Sequence, residues 1–470
     1  MEFQEYIDGL RGRKIAVIGA GVSNLPLIEL LCNNGDDVTV CDKRTAEAMG
    51  TLADQLTGQG AKLHLGEDYL EGLDRFDLVF RTPGLLPLNE HLQAAAAKGV
   101  EITSEMEVFF RLCPCKTIAI TGSDGKTTTS TVIAELLRAS GKTVHLGGNI
   151  GHPLLCDIPK MTTDDICVLE LSSFQLHSMT CKPNVSVITN VSPNHLDVHP
   201  DYEDYQNAKK SVYRYQDEND RLVVNADNTI TDAFGNEAPS QVYRFSRQGR
   251  VARGAYYADG AIWFSDGGET KKVIDIDEIK IPGMHNVENY LTAIAAVWGE
   301  VPVEVIHNIA KNFGGVEHRI ELVRELDGVK WYNDSIATSP TRTIAGLSCF
   351  DQKVILIGGG YDKHIPYEPL APHLIDKVKL LILSGPTAPK IAAALQNDPN
   401  YNGEPEVIFV NSMEEAVATA YGYAEEGDIV TLSPASASFD LYPNFEVRGK
   451  HYKELVGKLG QLDGIPAEKL

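Results

Sequence analysis

The sequence predicts an α/β protein built of three domains. Its 470 residues are enough for about two to four domains, each with its own core. Short apolar runs recur along the chain, and a glycine or a polar turn and then a helical pattern follow each of them. One of these turns, at residues 122–125, has the glycines of a phosphate-binding loop. Alternating strands and helices of this kind predict doubly wound sheets.

The first block, residues 1–104, is predicted to be a Rossmann-like N-terminal domain. Its short apolar runs predict three strands, at residues 14–18, 38–41 and 77–80. An apolar helix is expected after the turn at 19–24 and ends at about residue 32. The third strand runs into a polar turn that contains Thr82 and Gly84.

The turn after the first strand partly matches a dinucleotide fingerprint. It contains Gly19, Gly21 and Ser23, but Asn24 takes the place of the third glycine. Asp42 follows about 20 residues further on, where an acid can bind a ribose. The turn is therefore consistent with NAD(P), with a different nucleotide, or with a purely structural βαβ turn.

The second block, residues 105–315, is predicted to be a central P-loop ATPase-like α/β domain with an antiparallel excursion. Five strands are expected, at residues 117–120, 143–146, 166–171, 185–189 and 222–225. Turns and short alternating runs at 235–277 predict the antiparallel excursion, and a helix at 286–298 closes the block.

The phosphate loop lies between the strand at 117–120 and a helix at 126–137. Such a turn directs backbone N–H groups and a helix N-terminus at an anion. Lys126 can neutralise β- and γ-phosphates, and the Thr127 hydroxyl can bind Mg²⁺. The loop is a shortened variant, because Ile120 stands where the general pattern has its first glycine. It predicts ATP or GTP binding.

The third block, residues 316–470, is predicted to be a C-terminal Rossmann-like domain. Each of its strands is followed by a glycine or a polar turn, as such a sheet requires. The strands are expected at residues 353–357, 379–383, 406–410 and 428–432.

Charge and composition restrict the partners and the compartment. The formal net charge is −23, which disfavours nucleic acid as a partner. Eight cysteines are scattered, and the Cys113–Cys115 pair lacks a second Cys/His pair at zinc spacing. The N-terminus does not resemble a signal peptide and no apolar run is long enough to span a membrane. We therefore expect a reduced, soluble, cytoplasmic protein, and a monomer.

Two polar residues follow strands of the central block and suit a metal site. Glu170 ends an apolar strand next to the phosphate loop, where an acid can hold Mg²⁺ directly or through water; a strand-end acid on the surface is the alternative. His195 lies in a polar loop after the next strand. A lone histidine is more often structural, but this position favours a functional role.

Motifs across all three blocks resemble those of the Mur ligases, the ATP-dependent amide-forming enzymes of peptidoglycan precursor synthesis. In chain order the matching motifs lie at residues 121–127, 148–151, 170–175, 190–197, 285–289, 318–321, 333–335, 433–438 and 444–449. Because they cover almost the whole chain in the family's order, the resemblance is specific.

The resemblance implies ATP, two Mg²⁺ ions and four catalytic residues. Lys126 would hold the β- and γ-phosphates, and Thr127 and Glu170 the first ion. His195 would hold the second ion together with a carbamylated lysine. Lys209 fits the family spacing for that lysine better than Lys210, and a solvated helix lysine is the alternative.

The resemblance also assigns binding residues to each reactant. For ATP they are Gly122, Ser123, Asp124, Gly125, Lys126, Thr127, Thr128, Asn286, Asn289, Arg319 and Asp334. For a UDP-linked substrate they are Gly19, Gly21, Ser23, Asp42, Arg44, Thr82, Gly84, Asn149 and His195. For an amino acid with two carboxylates they are Thr338, Lys363, Ser438 and Phe445. The pattern departs from the family at Ile336, where many members have lysine, so a cation is missing there. Either Lys363 or another residue compensates for it, or the affinity differs.

The family member with the most similar motifs adds D-glutamate to UDP-N-acetylmuramoyl-L-alanine, through an acyl phosphate and a tetrahedral intermediate. Three alternatives remain open: a Mur-type or folylpolyglutamate-type ligase with another acceptor, a nicotinamide-dependent oxidoreductase built on the first glycine turn, and a nucleotide-binding module without catalysis. An oxidoreductase would leave the phosphate loop, Glu170 and His195 unexplained.

Overall fold

The computed structural model describes residues 2–193, 198–363 and 365–460. The described residues within 1–278 and 287–309 form one compact unit, and those within 279–286 and 310–470 form a second. The first unit contains two sheets and the second contains one. Within the described ranges, no helix is both long and apolar enough to cross a membrane.

The N-terminal part of the first unit is a five-stranded parallel sheet with helices on its faces. Its elements are α1 (Phe3–Asp8), β1 (Lys14–Ile18), α2 (Leu25–Asn33), β2 (Asp37–Asp42), α3 (Ala46–Met49), α4 (Thr51–Gly58), β3 (Lys62–Leu65), a 3-10 turn (Leu73–Arg75), β4 (Leu78–Phe80), α5 (Glu90–Ala97) and β5 (Glu101–Thr103). The strand order is β3-β2-β1-β4-β5. The order reverses beside β1, and such a switch point is where open α/β sheets bind ligands.

The rest of the first unit is built on a nine-stranded sheet, and the last two helices of this part each have three residues that belong to the second unit. Its elements are α6 (Glu105–Leu112), β6 (Lys116–Thr121), α7 (Lys126–Ala139), β7 (Val144–Gly148), a 3-10 helix (Leu155–Lys160), β8 (Ile166–Glu170), α8 (Ser173–Leu176), β9 (Val185–Ile188), α9 (Tyr202–Lys210), β10 (Arg221–Asn225), α10 (Thr229–Glu237), β11 (Gln241–Ser246), β12 (Arg253–Ala258), β13 (Ala261–Asp266), β14 (Thr270–Asp275), a 3-10 turn (Ile276–Glu278), α11 (Met284–Val297) and α12 (Val303–Asn312). The described strands follow the order β14-β13-β12-β11-β10-β9-β6-β8-β7. The buried strands β9, β6 and β8 lie side by side towards the β7 edge of this sheet, and only Lys116 at the start of β6 is half-buried among their residues.

The antiparallel excursion is confirmed for β12, β13 and β14. It is narrower than the range predicted at 235–277, because residues 235–237 belong to α10 and because β11 pairs in parallel with both β10 and β12. The alternation of apolar and polar residues marks a half-buried strand but does not give the direction of its neighbour.

The second unit is a six-stranded sheet with one antiparallel edge. Its elements are β15 (Glu321–Leu326), β16 (Val329–Asn333), α13 (Pro340–Leu347), β17 (Val354–Gly359), a 3-10 turn (Glu368–Leu370), α14 (Ala371–Lys377), β18 (Val378–Ser384), α15 (Ala388–Gln396), β19 (Glu406–Phe409), α16 (Met413–Tyr423), β20 (Ile429–Leu432) and α17 (Phe445–Lys458). The strand order is β15-β16-β20-β17-β18-β19, and only the β15–β16 pair is antiparallel. Apolar side chains pack on both faces of this sheet.

Candidate active site

The phosphate loop connects β6 to α7 and cannot accept side chains at its two glycines. Gly122 has φ +146°, and a Cβ there would overlap the Thr189 hydroxyl. Gly125 is the N-cap of α7 with φ +78°, and a Cβ there would lie 2.7 Å from Asn289 Oδ1. Both glycines have backbone conformations that L side chains rarely adopt. The loop is thus a tight turn that ends at a helix N-terminus, as phosphate binding requires.

The segment after β9 holds the loop in shape. The Ser123 N–H donates to the Asn190 carbonyl oxygen at 2.9 Å, and the Asp124 N–H donates to Asn190 Oδ1 at 3.0 Å. Thr189 Oγ1 donates to the Asp124 carbonyl oxygen at 2.6 Å. These bonds tie the loop to the end of the neighbouring strand.

Lys126 lies on the loop that it follows. It is the first residue of α7, and its Nζ donates to the carbonyl oxygens of Gly122 at 3.0 Å and Ser123 at 2.9 Å. Thr127 and Thr128 continue the first turn of the same helix. A positive charge and the N-terminal end of the helix dipole therefore lie together at the loop, and both attract an anion.

Glu170 places a buried carboxylate beside the loop. It ends β8, where it pairs in register with Ile120 of β6, and it is 2% exposed. Its Oε1 accepts a hydrogen bond from Asn149 Nδ2 at 2.8 Å. Its Oε2 is buried and has no hydrogen-bond partner among the described residues. A buried carboxylate oxygen without a partner is costly, and a hard cation such as Mg²⁺ would satisfy it. The donor set therefore fits a magnesium ion.

Lys209 is also buried against the loop. It lies in α9 and is 1% exposed. Its Nζ donates to the Gly122 carbonyl oxygen at 2.8 Å and lies 4.5 Å from the centroid of the Tyr205 ring. Burial holds the pKa of Lys209 well below its usual value, and the nearby charge of Lys126 lowers it further, against the opposing charges of Asp124 and Glu170. A buried lysine of this kind is readily present as the neutral amine.

His195 lies outside the described residues, so its predicted metal and substrate contacts stay predictions. The histidine four positions later is described. His199 is 2% exposed; its Nδ1 lies 2.6 Å from Asp204 Oδ2 and its Nε2 lies 2.9 Å from Ser173 Oγ. His199 therefore fastens the segment after residue 197 to α8 and α9.

Asn289 lies at the phosphate loop, whereas Asn286 donates a hydrogen bond to a residue four positions earlier in the chain. Asn289 Oδ1 accepts from Thr129 Oγ1 of α7 at 3.2 Å. Asn286 Nδ2 donates to the Pro282 carbonyl oxygen at 2.6 Å, as a residue in the first turn of a helix can. The two residues are three positions apart on α11, as the predicted shared face requires.

In the N-terminal sheet, the structure joins several of the residues predicted to bind the UDP-linked substrate. Gly19, with φ +85°, lies close to Thr82, because a Cβ on it would be 3.2 Å from Thr82 Cβ. Asp42 Oδ2 accepts from the Ala20 N–H at 2.8 Å and from Arg44 Nη2 at 2.8 Å. Burial raises the pKa of Asp42, but the hydrogen bonds from Arg44 and Ala20 outweigh it and hold that pKa at about 2. An ionised Asp42–Arg44 pair thus lies beside the glycine turn.

Four more residues of that predicted set are described, three of them after strands of the N-terminal sheet and one after a strand of the nine-stranded sheet. Gly21 and Gly84 are exposed in the turns after β1 and β4, and Ser23 is half-buried. Ser23 lines a cavity together with Asn24, Arg81, Glu105, Gly148 and Gln175. Asn149 follows β7, and its N–H donates to the Glu170 carbonyl oxygen at 2.7 Å. The cavity therefore lies between the two sheets of the first unit.

In the second unit, Asp334 is a buried acid at the end of β16. It is 3% exposed, and Ser433 Oγ donates to its Oδ2 at 2.8 Å. Burial raises the pKa of Asp334 to about 7, against the hydrogen bond from Ser433 and the charge of Arg319. Arg319 lies between His318 (φ +64°) and Ile320 (φ +44°). Backbone conformations of this kind in residues other than glycine persist where the surroundings enforce them, often at functional sites.

The residues predicted to bind the amino acid lie around the ends of β16 and β20. Lys363 Nζ donates to the backbone and side-chain oxygens of Thr338, both at 3.4 Å, so these two residues are together. Ser438 is buried. Phe445 begins α17, and its carbonyl oxygen accepts from Ser335 Oγ at 2.8 Å. Ile336 is next to a cation, because Arg342 Nη1 donates to the Ile336 carbonyl oxygen at 3.2 Å.

Three family models match the chain in sequence. They are described as Mur ligase MurD-like, N-terminal domain (residues 13–104), Mur ligase middle domain (residues 120–297) and Mur ligase, glutamate ligase domain (residues 318–436). Curated relatives named UDP-N-acetylmuramoylalanine--D-glutamate ligase include one from Acetivibrio thermocellus, 52% identical, with 96% of this chain and 97% of the relative covered. Another, from Clostridium beijerinckii, is 50% identical, with 97% and 99% covered. The chain belongs to the Mur ligase family.

Solved structures agree with this Mur ligase assignment at the level of the fold. The UDP-N-acetylmuramate-alanine ligase MurC from Thermotoga maritima has a TM-score of 0.57 at 18% identity, over 95% of this chain and 99% of that one. A UDP-N-acetylmuramoyl-L-alanyl-D-glutamate--2,6-diaminopimelate ligase has a TM-score of 0.55 at 18% identity, over 94% and 92%. The predicted three-domain α/β fold is thereby confirmed.

Some residues that shape the sites of this Mur ligase were not predicted. Arg448 is 3% exposed; it donates to the Ser335 hydroxyl at 3.0 Å and to the Ala437 carbonyl oxygen at 3.0 Å. Arg81 is 1% exposed, and its Nη2 donates to Ser178 Oγ at 2.7 Å. The sequence motif at 444–449 contains Arg448 and could have identified it. For Arg81, the sequence shows only a charged residue directly after a buried strand.

Proposed function

We propose that this chain joins D-glutamate to the alanyl carboxylate of UDP-N-acetylmuramoyl-L-alanine, with cleavage of ATP to ADP and phosphate. The observation that carries the proposal is the identity of about half of the residues, over nearly the whole length, to curated ligases named for this reaction. The phosphate loop, with a buried carboxylate and a buried lysine beside it, supplies the groups that the chemistry needs.

The first step converts an unreactive carboxylate into an acyl phosphate. A carboxylate oxygen of the UDP-linked substrate attacks the γ-phosphorus of ATP, and the bond from that phosphorus to the ADP oxygen breaks. Negative charge shifts onto phosphoryl oxygens, so cations and fixed donors at those oxygens lower the barrier. We assign this role to Lys126, to the N–H groups of residues 122–125 and to the first turn of α7.

The second step forms the amide. The amino group of D-glutamate attacks the acyl carbon, a tetrahedral intermediate forms, phosphate leaves with the carbon–oxygen bond electrons, and the nitrogen loses a proton. The site must therefore hold an amino acid with two carboxylates close to the acyl phosphate. We assign its recognition to Lys363, Thr338, Ser438 and the backbone at Phe445. Many family members have a lysine at position 336, where this chain has Ile336. Arg342 takes the place of that lysine, because its guanidinium donates to the Ile336 carbonyl oxygen.

Magnesium supports the phosphoryl step. The ion neutralises phosphate charge when it is bound. Glu170 and Thr127 hold the first ion in the proposal, and the unpaired Oε2 of Glu170 supports that assignment. His195 and Lys209 would hold a second ion, with Lys209 as the carbamate. The Lys209 amine is buried at the loop. Attack of this amine on CO₂, with loss of a proton, would give a carbamate, whose oxygens can bind a metal ion.

The carbamate has its own test. Treating the native enzyme with a trialkyloxonium salt would convert a carbamate into a stable ester before digestion and mass spectrometry. We expect the added mass on Lys209 and none on Lys210. A plain amine at Lys209 in the magnesium-loaded enzyme would contradict the assignment.

The other roles rest on the sequence motifs. In the proposal, Asp42 and Arg44 bind the uracil, and Gly19, Gly21 and Ser23 face the diphosphate. Thr82 and Gly84 line the entrance, and Asn149 contacts the substrate from the central domain. Asn286, Asn289, Arg319 and Asp334 bind ATP. The fixed Asp42–Arg44 pair supports a role in recognising a polar base edge.

We further propose domain boundaries at 104/105 and 315/316, a cytoplasmic location and a monomeric state. The matched family segments, which end at 104 and 297 and begin again at 120 and 318, support the boundaries. Size-exclusion chromatography with light scattering would test the monomer.

The reaction is tested by an acceptor panel. Purified enzyme is incubated with ATP, Mg²⁺ and UDP-N-acetylmuramoyl-L-alanine, and D-Glu, L-Ala, L-Lys or meso-diaminopimelate is added separately. We expect ADP release and a new amide product with D-Glu alone. Incorporation of another amino acid in place of D-Glu would show a different ligase, and oxidation of NADH without ATP turnover would show an oxidoreductase.

A further inference from the structure

Three cysteine side chains meet at the start of the central sheet, away from the phosphate loop. Cys113 follows α6, Cys115 directly precedes β6, and Cys167 is the second residue of β8. The sulfur–sulfur distances are 3.5 Å for 113–115, 3.7 Å for 113–167 and 3.2 Å for 115–167. Cys167 and Cys115 are buried, and Cys113 is half-buried. We call these residues the thiol cluster.

The surroundings of the thiol cluster add a fourth sulfur. Met161 Sδ lies 3.8 Å from the Cys167 Sγ, and Met161 is itself buried. Thiolate and thioether sulfurs are soft ligands, which select cations such as Cu(I) and Zn(II) over Mg²⁺. The ligand set is therefore chemically distinct from the oxygen ligands at Glu170.

The spacing of the thiol cluster fits a single ion. Metal–sulfur bonds of about 2.3 Å in a tetrahedral zinc site imply sulfur–sulfur edges of about 3.8 Å. The observed edges of 3.2, 3.5 and 3.7 Å need to widen only slightly. Cys113 lies on a connection between elements and is half-buried, so it leaves both room to adjust and a path of entry.

We propose that Cys113, Cys115 and Cys167 form a binding site for one soft d¹⁰ metal cation of the Zn(II) or Cu(I) class. The bound ion ties the connection between α6 and β6 to β8. This inference is independent of the ligase reaction, because none of the three cysteines belongs to the proposed active site.

The test is a metal titration of the full, reduced and metal-stripped chain. Excess Mg²⁺ fills the oxygen-ligand sites, and Cd(II) is added without oxygen as the spectroscopic probe. We expect an ultraviolet thiolate-to-cadmium charge-transfer band that saturates at about one ion per chain, a higher melting temperature, and loss of the band when Zn(II) or Cu(I) displaces Cd(II). A wild-type chain without a saturable band overturns the proposal.

Variants locate the site. Cys113→Ser should weaken Cd(II) binding by at least about tenfold, whereas Cys32→Ser, a half-buried cysteine of α2, should leave binding unchanged. Cys115→Ala is the second variant if Cys113→Ser does not fold. An unchanged band in either cluster variant overturns the proposal. The proposal is also overturned if the reduced chain binds no Cd(II) and Cys115 and Cys167 form a disulfide in air.

Discussion

Replacing Glu170 by glutamine distinguishes the role of this residue in ligand binding from its effect on the free energy of unfolding. Glutamine keeps the shape and can still accept the 2.8 Å hydrogen bond from Asn149, but it removes the buried negative charge. An unsatisfied buried group costs about 1–3 kcal/mol, and more when it is charged. We therefore expect the metal-free Glu170→Gln variant to be as stable as the wild type, or more stable by about 1 kcal/mol.

The same substitution should remove most of the stabilisation by Mg²⁺ and ATP. A ligand at 100 times its dissociation constant stabilises the folded state by about 2.7 kcal/mol, and each kcal/mol raises the melting temperature by about 2–4 °C for 150–250 residues. The wild type should thus gain about 5–10 °C. Loss of charge stabilisation at the phosphoryl group should lower ligation by about 10²-fold or more.

The assay pairs thermal unfolding, with and without Mg²⁺ and ATP, with ADP release in the presence of both other substrates. Glu107→Gln is the matched control, because Glu107 also has one paired oxygen, which accepts from Ser178, and one buried oxygen without a described partner. The control should keep the full shift. Normal ADP release by Glu170→Gln, or an equal loss of the shift in both variants, would refute the assignment of Glu170.

Three further predictions follow from the same geometry. Lys126→Ala should abolish ligation at any ATP concentration, because Lys126 is the cation on the loop; normal product formation by mass spectrometry would contradict this. Burial raises the pKa of Glu105 to about 7 against the hydrogen bond from the Leu155 N–H. The folded chain therefore binds this proton more tightly than the unfolded chain, and the stability that Glu105 contributes falls as pH rises from about 4.5 to 7, by up to about 3 kcal/mol. Glu105→Gln should flatten the unfolding free energy over that range in denaturant titrations, and an unchanged pH profile would count against it. Arg342→Met should raise the KM for D-glutamate about tenfold, which corresponds to a loss of about 1.4 kcal/mol of binding free energy. Lys353→Met, which removes another exposed cation of the second unit, should leave this KM unchanged. Equal KM values for the two variants would exclude a role of Arg342 in binding D-glutamate.

The sequence predicts those strands that have continuous apolar runs. β8 and β9 are fully buried, β6 is buried except at Lys116, and all three were expected close to their observed bounds. β3 and β15 were not predicted, because their residues are half-buried or exposed and carry charges within the strand. β5 has three residues, too few to show a period.

The candidate site also has parts that the sequence predicts and parts that it does not. The phosphate loop and Glu170 are predictable because their chemistry lies in contiguous residues after buried strands. The hydrogen bond from Arg448 to Ser335 joins residues 113 positions apart, and the contact between the Cys115 and Cys167 thiols joins residues 52 positions apart. Local sequence patterns do not contain such pairs, so only the folded chain shows them.

The central claim is that this loop activates a carboxylate by phosphorylation, and the transfer of oxygen tests it most directly. UDP-N-acetylmuramoyl-L-alanine labelled with heavy oxygen in its alanyl carboxylate is incubated with the enzyme, ATP, Mg²⁺ and D-glutamate, and the released phosphate is analysed by mass spectrometry. The account predicts one labelled oxygen in each phosphate formed, because the carboxylate oxygen stays with phosphorus when the amide forms. Unlabelled phosphate released together with the amide product would contradict it.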